Sequence, residues 1–140
     1  MPFSEQFLTK RYISWLNDKH LMQFSEQRHK VHTEASCRNY WHIQLSSDNL
    51  FLAITKIDDN SHIGNITAAI DPHNSSADLG ILIGEKSELG QGYGCEAWNG
   101  VMGFLFQERS VRKITGGAMA TNTPMINIFV KSGMKLEATR

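Results

Sequence analysis

Two neighbouring stretches of sequence decide the fold: Asp78-Leu79-Gly80-Ile81-Leu82-Ile83-Gly84 and Leu89-Gly90-Gln91-Gly92-Tyr93-Gly94-Cys95-Glu96-Ala97. The first is typical of a β-strand, and the second of a glycine loop that opens directly into a helix. Backbone N–H groups at a helix N-terminus have no intrahelical partner and lie at the positive end of the helix dipole. Because glycine permits positive φ and close approach of the backbone, the loop predicts an anion site that suits a pyrophosphate.

Two other phosphate-binding motifs are excluded by the residues present. A Rossmann fingerprint needs a third glycine where Cys95 stands, and it usually opens a βαβ unit. A P-loop needs Gly-Lys-Ser/Thr, and no lysine follows Gly92. A tight strand-to-helix turn that binds no ligand is also compatible with this segment.

Three strands with short connections are expected in the middle of the chain, as an antiparallel meander. Turn residues at 58–61 and 71–76 separate them. The expected strands are 50–57, 62–70 and 78–83.

Helical patterns flank this meander on both sides. Thr33 is a plausible N-cap, and Gly100 and Gly103 in a later helix suggest close packing against a sheet. The expected helices are 9–17, 34–45, 95–109 and 124–132, with further strands at 113–119 and 134–140. Residues 1–140 therefore predict a single domain of the α/β (α+β) class, with a mixed, mostly antiparallel central sheet flanked by helices.

The composition argues against nucleic-acid and membrane partners and against a metal site. Lys plus Arg and Asp plus Glu are 14 each, so the formal net charge is zero and nothing favours nucleic acid or an anionic membrane. Cys37 and Cys95 have no CxxC spacing, and no histidine pattern predicts a metal site. Without a signal sequence or a span of roughly 20 apolar residues, we expect a cytoplasmic protein.

The segment 79–97 resembles the coenzyme A motif of the Gcn5-related N-acetyltransferase (GNAT) superfamily. Lys113-Ile114, Asn122 and Lys131-Ser132-Gly133-Met134 resemble the family's next strand, asparagine and glycine ending. The segment 12–18 resembles the first helix of its RimJ/RimL-like and amino-sugar acetyltransferase branches. The resemblance covers nearly the whole chain and implies the acyl-CoA N-acyltransferase fold, with acetyl-CoA as acetyl donor.

In this family the third meander strand and the next strand splay apart, and the pantetheine arm lies between them. The resemblance implies that the strand backbone binds the pantetheine and that the loop amides hold the pyrophosphate. The implied coenzyme-binding residues are Ile81, Leu82, Ile83, Leu89, Gly90, Gln91, Gly92, Tyr93, Gly94, Cys95, Asn122, Asn127 and Phe129.

Several positions depart from the family pattern. Many members carry Arg or Gln where Leu89 stands, and a tyrosine that protonates the departing thiolate where Phe129 stands. Some keep a carboxylate base on the strand that here contains Gly116-Gly117-Ala118. Both the usual acid and one usual base are missing.

The amine must lose a proton before it attacks the thioester, so a base is required. Glu85, just past the coenzyme strand, is the first candidate, directly or through water. Asp71 and His73, in the turn between two meander strands, are weaker candidates.

The resemblance implies an N-acetyltransferase that acts on a primary amine of a small molecule, such as an amino sugar or a nucleotide-linked amino sugar. A protein N-terminus or a ribosomal protein is a second class of acceptor. Two further hypotheses involve no catalysis: a domain that only binds coenzyme A, and a structural module without a ligand.

Family members continue into one more strand than this sequence provides, so we expect the last strand of the family fold to be missing. An uncovered sheet edge favours pairing with another chain. We therefore expect a homo-oligomer formed through that edge.

Overall fold

The computed structural model describes residues 1–119 and 121–137. Three short 3₁₀ turns, Glu5–Phe7, Glu26–His29 and Lys86–Glu88, accompany the longer elements. The helices are α1 (Lys10–Asn17), α2 (Glu34–Leu45), α3 (Tyr93–Glu108) and α4 (Thr123–Lys131), and the strands are β1 (Leu50–Thr55), β2 (His62–Asp71), β3 (Ser76–Ile83) and β4 (Lys113–Thr115).

The four strands form one sheet in the order β1-β2-β3-β4. The first three pair antiparallel, and β4 pairs parallel with β3. This confirms the predicted meander and the mixed, mostly antiparallel sheet. The chain reaches β4 through α3, as a parallel crossover requires.

The contact between β3 and β4 is short. Only Ser76, Ala77 and Asp78 pair with β4, so the second half of β3 has no neighbour on that side within the described residues. The strands therefore separate where β3 approaches the glycine loop, which matches the splay that the resemblance implied.

Side chains of the sheet alternate between two cores, one on each face. On one face, Phe51 and Ala53 of β1 pack with Tyr12 and Trp15 of α1 and with Cys37 of α2. The opposite core is built from β2, β3 and α3, and its buried members are Ile66, Ala68, Ala77, Leu79, Trp98, Leu105 and Val111. The sheet is thus sandwiched between α1 and α2 on one side and α3 and α4 on the other.

Helix ends follow the sequence signals. Thr33 accepts a hydrogen bond from the Ser36 amide at 3.1 Å, and Ser36 Oγ accepts one from the Thr33 amide, which completes a capping box. Asn122 caps α4, with Pro124 in its first turn. The predicted helix starts at Thr33 and near Pro124 are confirmed.

Three expectations differ from the structure. The strand expected at 113–119 ends at Thr115, and residues 116–119 form no strand. Residues 134–137 form no strand, and residues 138–140 of that predicted strand lie outside the described residues. The Met134 amide instead donates to the Phe129 carbonyl at 3.0 Å, so this segment closes the end of α4. Gly100 and Gly103 do not pack against the sheet, since an added Cβ at either would meet nothing within 4 Å.

Within the described residues, no helix has the length and apolar character needed to cross a bilayer.

The close approach of the paired strands β2 and β3 near the glycine loop requires glycine at position 64. A Cβ there would overlap the Leu82 carbonyl oxygen and lie 3.1 Å from the Ile83 Cα. Because the obstacle is backbone, we expect Gly64→Ala to lower the free energy of unfolding by about 2 kcal/mol in urea denaturation. Gly80→Ala, on the neighbouring strand, is the control because a Cβ there meets nothing within 4 Å. Equal stability of the two variants would contradict the crowding.

The open space beside Gly103 leads to the opposite expectation. A glycine in a helix interior is less favourable than alanine by about 1 kcal/mol. Gly103→Ala should therefore raise the free energy of unfolding by about that amount, measured by urea denaturation. A decrease would mean that α3 has a packing partner at this position.

Candidate active site

The glycine loop ends in a left-handed turn that starts α3. Gly90 has φ of +80° and Gly92, the N-cap, has φ of +85°, and no side chain caps the helix. An L side chain at either position would be strained, although space for a Cβ is open. The backbone conformation thus requires the glycines that the sequence motif supplies.

The amides of residues 90–95 make no hydrogen bond within the described part of the chain. Glu96 donates the first helical bond, to the Gly92 carbonyl at 3.0 Å. Gly90, Gln91 and Gly92 are exposed. Unpaired N–H groups at a helix start, open to solvent and without a Cβ in the way, fit the pyrophosphate of coenzyme A. Leu89, at the start of the loop, is half-exposed and contributes no donor from its side chain.

Gly94 brings the start of α3 against β3 and α4. A Cβ on Gly94 would lie 3.3 Å from Ile128 Cδ1, 3.6 Å from Ile83 Cγ1 and 3.9 Å from Ile81 Cδ1. A larger side chain would push these elements apart. Tyr93 and Cys95 on either side are half-buried, and Cys95 Sγ accepts a hydrogen bond from Asn99 Nδ2 at 3.6 Å.

The backbone of β3 divides the three predicted pantetheine-binding residues. The Gly84 amide donates to the Ile63 carbonyl at 2.8 Å, which sets the phase of the antiparallel ladder. Because residues alternate in direction, the N–H and C=O of Ile81 and Ile83 point away from β2, toward the side where β4 has ended. Leu82 pairs with Asn65 instead, so its backbone groups face β2.

Residues of α4 flank the opposite side of this opening. Asn122 Oδ1 accepts a hydrogen bond from the Met125 amide at 3.3 Å, so its side chain caps the helix. Asn127 is exposed. The Phe129 ring packs against Trp98 with centroids 5.7 Å apart, and it covers Gly116. Contacts of Asn122, Asn127 and Phe129 with coenzyme A stay predictions.

Glu85 lies at the end of β3 but is already hydrogen-bonded. Its Oε1 accepts from Trp15 Nε1 at 3.2 Å and forms an ion pair with Arg11 Nε at 3.0 Å. Arg11 Nη2 also donates to the His62 carbonyl at 2.8 Å. These bonds join α1 to the ends of β2 and β3, so Glu85 has an anchoring role whatever its part in catalysis.

The structure does not bring Asp71 and His73 to the site. Both lie in the β2–β3 turn, at the end of β3 opposite the glycine loop, and seven residue steps along a strand span roughly 23 Å. Asp71 Oδ1 accepts from the His73 and Asn74 amides at 3.0 and 3.2 Å, and Oδ2 from Asn74 Nδ2 at 2.8 Å. Hydrogen bonds from the Asn74 side chain and backbone lower the pKa of Asp71. Asp71 therefore stabilises the turn.

A cavity of about 450 Å³ opens on the α1–α2 face of the sheet, beside the splay. Its floor is formed by β2 and β3, and its walls by α1, α2 and the segment between them. Burial raises the pKa of Tyr12, which keeps that phenol protonated. The lining residues are Tyr12, Leu16, Gln27, Lys30, Val31, His32, Ser36, Cys37, Tyr40, Phe51, Asn65, Thr67, Gly80, Ile81 and Leu82.

A buried imidazole supports the floor of this cavity. His62 Nε2 and Asn65 Oδ1 lie 2.8 Å apart, and both side chains are buried. Rings of Phe7 and Trp15 stand 4.9 Å from the imidazole. Burial lowers the pKa of His62, against the opposing effect of its hydrogen bond to Asn65. The neutral ring therefore holds Asn65 in place.

Sequence reasoning missed the cavity. Asn65 and Thr67 did carry a signal, because they flank buried Ile66 as polar residues in a mostly apolar strand. Lys30 and His32 carried none, since they belong to an irregular segment that only the fold places over the sheet. Among the described residues no cluster of three His, Cys, Asp or Glu is arranged to hold a metal ion.

Comparison with known proteins shows which family has these features. The model of the acetyltransferase (GNAT) domain matches residues 2–135. No curated protein matches the chain in sequence.

Solved structures share the fold at low sequence identity. An acetyltransferase of the GNAT family from Bacillus anthracis is 20% identical with a TM-score of 0.84, over 99% of this chain and 80% of that one. Spermidine N-acetyltransferase from Vibrio cholerae, in complex with CoA and spermine, is 14% identical with a TM-score of 0.83, over 95% and 78%. RimL, a ribosomal L7/L12 alpha-N-protein acetyltransferase in complex with coenzyme A, is 17% identical with a TM-score of 0.84, over 98% and 79%.

The family model spans nearly the whole chain, and its defining parts are present as an uncapped glycine loop and a splayed sheet. The chain belongs to the GNAT family and is an acetyl-CoA-dependent N-acetyltransferase.

Proposed function

We propose that the chain acetylates the primary amine of a small molecule, with an amino sugar as the first candidate. The observation that carries the proposal is the position of Ile81. Its backbone faces the splay, and the same residue lines the cavity on the α1–α2 face. A donor lying in the splay and an acceptor lying in the cavity would therefore meet at Ile81.

The chain's own groups supply binding and orientation. Acetyl-CoA provides an acetyl thioester, and the free amides of residues 90–95 suit its pyrophosphate. The outward N–H groups of Ile81 and Ile83 are donors for the pantetheine amides and for the thioester carbonyl. A fixed donor at that carbonyl stabilises the negative charge that develops on its oxygen.

The shape of the cavity favours a small acceptor. It is closed on one side by α2 and the segment before it, and its volume of about 450 Å³ lies in the range of small-molecule sites. The structural relatives include an enzyme for spermidine and one for a ribosomal protein, so both acceptor classes occur on this fold. A protein N-terminus is the alternative acceptor, and it would need only its first residues to enter.

Two groups are candidates for accepting the proton of the amine. Glu85 is one, with its Oε1 held by Arg11 and Trp15. His32 is the other, because it lines the cavity with Nε2 3.3 Å from the Gln27 carbonyl, which leaves Nδ1 as an acceptor when Nε2 carries the proton.

Phe129 cannot donate a proton to the departing thiolate, so the assay of transfer is set against the alternative that the domain binds coenzyme A without catalysis. Thiol release across an amine panel, with calorimetry for acetyl-CoA, separates the two functions. Release with any amine supports transfer, whereas coenzyme binding without release with any amine supports the alternative.

A negative charge at the glycine loop should weaken coenzyme binding without weakening the fold. Gln91 is exposed and immediately precedes the N-cap of α3. A carboxylate there is favoured by the helix dipole yet repels the pyrophosphate. We expect Gln91→Glu to raise the acetyl-CoA dissociation constant about ten-fold in calorimetry, for a repulsion of roughly 1.4 kcal/mol.

Gln107→Glu makes the same charge change near the other end of α3 and should leave the dissociation constant unchanged. Unfolding of both variants in urea checks the fold. Unaltered affinity in Gln91→Glu would place the pyrophosphate elsewhere.

Replacing Glu85 tests the proposed base. Glu85→Gln keeps an oxygen that can accept from Trp15 Nε1 but removes the carboxylate. If Glu85 accepts the proton, turnover at neutral pH should fall at least about 100-fold, while the acetyl-CoA dissociation constant changes little. The measurement is initial thiol release as a function of pH.

His32→Gln is the matched variant for the second candidate base. Full turnover in Glu85→Gln would leave Glu85 as an anchor of α1 alone. A loss confined to His32→Gln would identify His32 as the base.

A further inference from the structure

We propose that the acceptor carries an anionic group, a carboxylate or a phosphate, which pairs with Lys30. The inference rests on the proposed function and names the substrate class of the same cavity. The step itself is ordinary acetyl transfer: the amine nitrogen bonds to the acetyl carbon, the C–S bond breaks, and the amine proton leaves to the base.

The first observation is the charge of the residues that line the cavity. Among the described residues that line the cavity, none is Asp or Glu, and Lys30 is the one with a fixed charge. A polyamine or an aminoglycoside brings several positive charges, which a site must match with carboxylates to offset their desolvation. The described lining offers none, so it disfavours a polycation.

The second observation is the position of Lys30 between two cavities. A second cavity of about 370 Å³ adjoins the first, and Leu16, Lys30 and Val31 line both. Lys30 therefore stands at their junction. An acceptor whose amine reaches Ile81 could extend its other end toward this lysine.

Lys30 is also uncommitted. Its side chain is exposed and makes no ion pair or hydrogen bond within the part of the chain that the structure describes. Lys56 and Lys86, by contrast, pair with Glu88 at 3.1 Å and Asp18 at 3.3 Å.

Asp18 is the acid in the lining of the second cavity, and it is occupied. Its Oδ1 accepts from the His20 and Leu21 amides at 3.0 and 3.1 Å, and its Oδ2 pairs with Lys86. These hydrogen bonds, with that from the Leu21 amide foremost, lower the pKa of Asp18. The Asp18 carboxylate is thus already engaged by two amides of its own turn and by Lys86. It does not neutralise Lys30, whose ammonium group can pair with an anion of the acceptor.

The remaining lining residues suit an acceptor whose central part is polar but uncharged. Asn65 and Thr67 supply an amide and a hydroxyl from the floor, and the rings of Tyr12, Tyr40 and Phe51 supply flat apolar surface. A hydroxylated ring bearing one amine and one anionic group fits both chemistries.

The test compares amines that differ only by the anionic group. Initial rates are measured with glucosamine against glucosamine 6-phosphate, with alaninamide against alanine, and with spermidine. We expect the member with the anion to have the higher kcat/KM in at least one pair, and spermidine to be poorest. A higher kcat/KM in the glucosamine pair indicates a phosphate on the natural acceptor, and a higher kcat/KM in the alanine pair indicates a carboxylate.

Lys30→Gln should raise KM for the anionic amine about ten-fold, with kcat nearly unchanged, since a charge-assisted hydrogen bond contributes roughly 1.5 kcal/mol. KM for its uncharged counterpart should not move. Lys135→Gln, an exposed lysine beyond α4, is the control for loss of one positive charge. As a readout without turnover, inorganic phosphate or acetate should raise the thermal midpoint of the wild type more than that of Lys30→Gln.

A preference for spermidine, or equal thermal shifts in the wild type and Lys30→Gln, would overturn the proposal. Acetylation of none of these amines would also count against it. Calorimetry and the amine panel keep the two failures apart: absent coenzyme binding, or no thiol release with any amine, contradicts the proposed function itself, whereas transfer to uncharged amines or spermidine in preference to the anionic amines contradicts only the anionic acceptor.

Discussion

Unpaired backbone groups are the feature on which the rest of this structure depends. Buried or crowded N–H and C=O groups normally find partners, and most of this sheet obeys that rule. Within the described residues, the outward groups of Ile81 and Ile83 and the amides of residues 90–95 have no such partner, and they lie beside one another. A ligand with amides in one half and phosphates in the other would complete these bonds. Coenzyme A has that layout, and donors of this kind suit a polyanion even in a chain with zero formal charge.

The packing keeps that place open. Gly94 allows α3 to start against Ile83 and Ile128, so the helix N-terminus lies beside the end of β3. Phe129 and Trp98 fill the space behind β4 with aromatic carbon. On the other face, Arg11 and Glu85 fasten α1 to the strand ends. In the proposed function the two layers of helices serve different ligands: α3 and α4 border the coenzyme side, and α1 and α2 border the acceptor side.

If the acceptor pairs with Lys30 as proposed, a neutral chain can still select its substrate by charge. Salt screens an exposed ion pair, whereas a group that enters a partly enclosed cavity loses much of that screening. The His62–Asn65 pair and the surrounding rings make the floor polar without a net charge. In the proposed function, selection between acceptors therefore falls to residues of the wall, since the carboxylates of Asp18 and Glu85 are already paired.

The sequence alone determined the order of the helices and strands as far as α4, the meander and the glycine loop, and it predicts a pyrophosphate site there. Those features depend on local rules: turn residues, the helix cap at Thr33, the proline in the first turn of α4, and the φ values that only glycine adopts easily at positions 90 and 92. Only the tertiary structure decided which β3 backbone groups are free, because that depends on the ladder phase set by β2 and on the short pairing with β4. It also separated Glu85 from Asp71 and His73, which the turn holds at the far end of the hairpin, and placed Lys30 and His32 over the sheet. The physical reason is distance along the chain: local conformation follows from neighbouring residues, whereas a cavity is formed by side chains that meet only when separate elements pack.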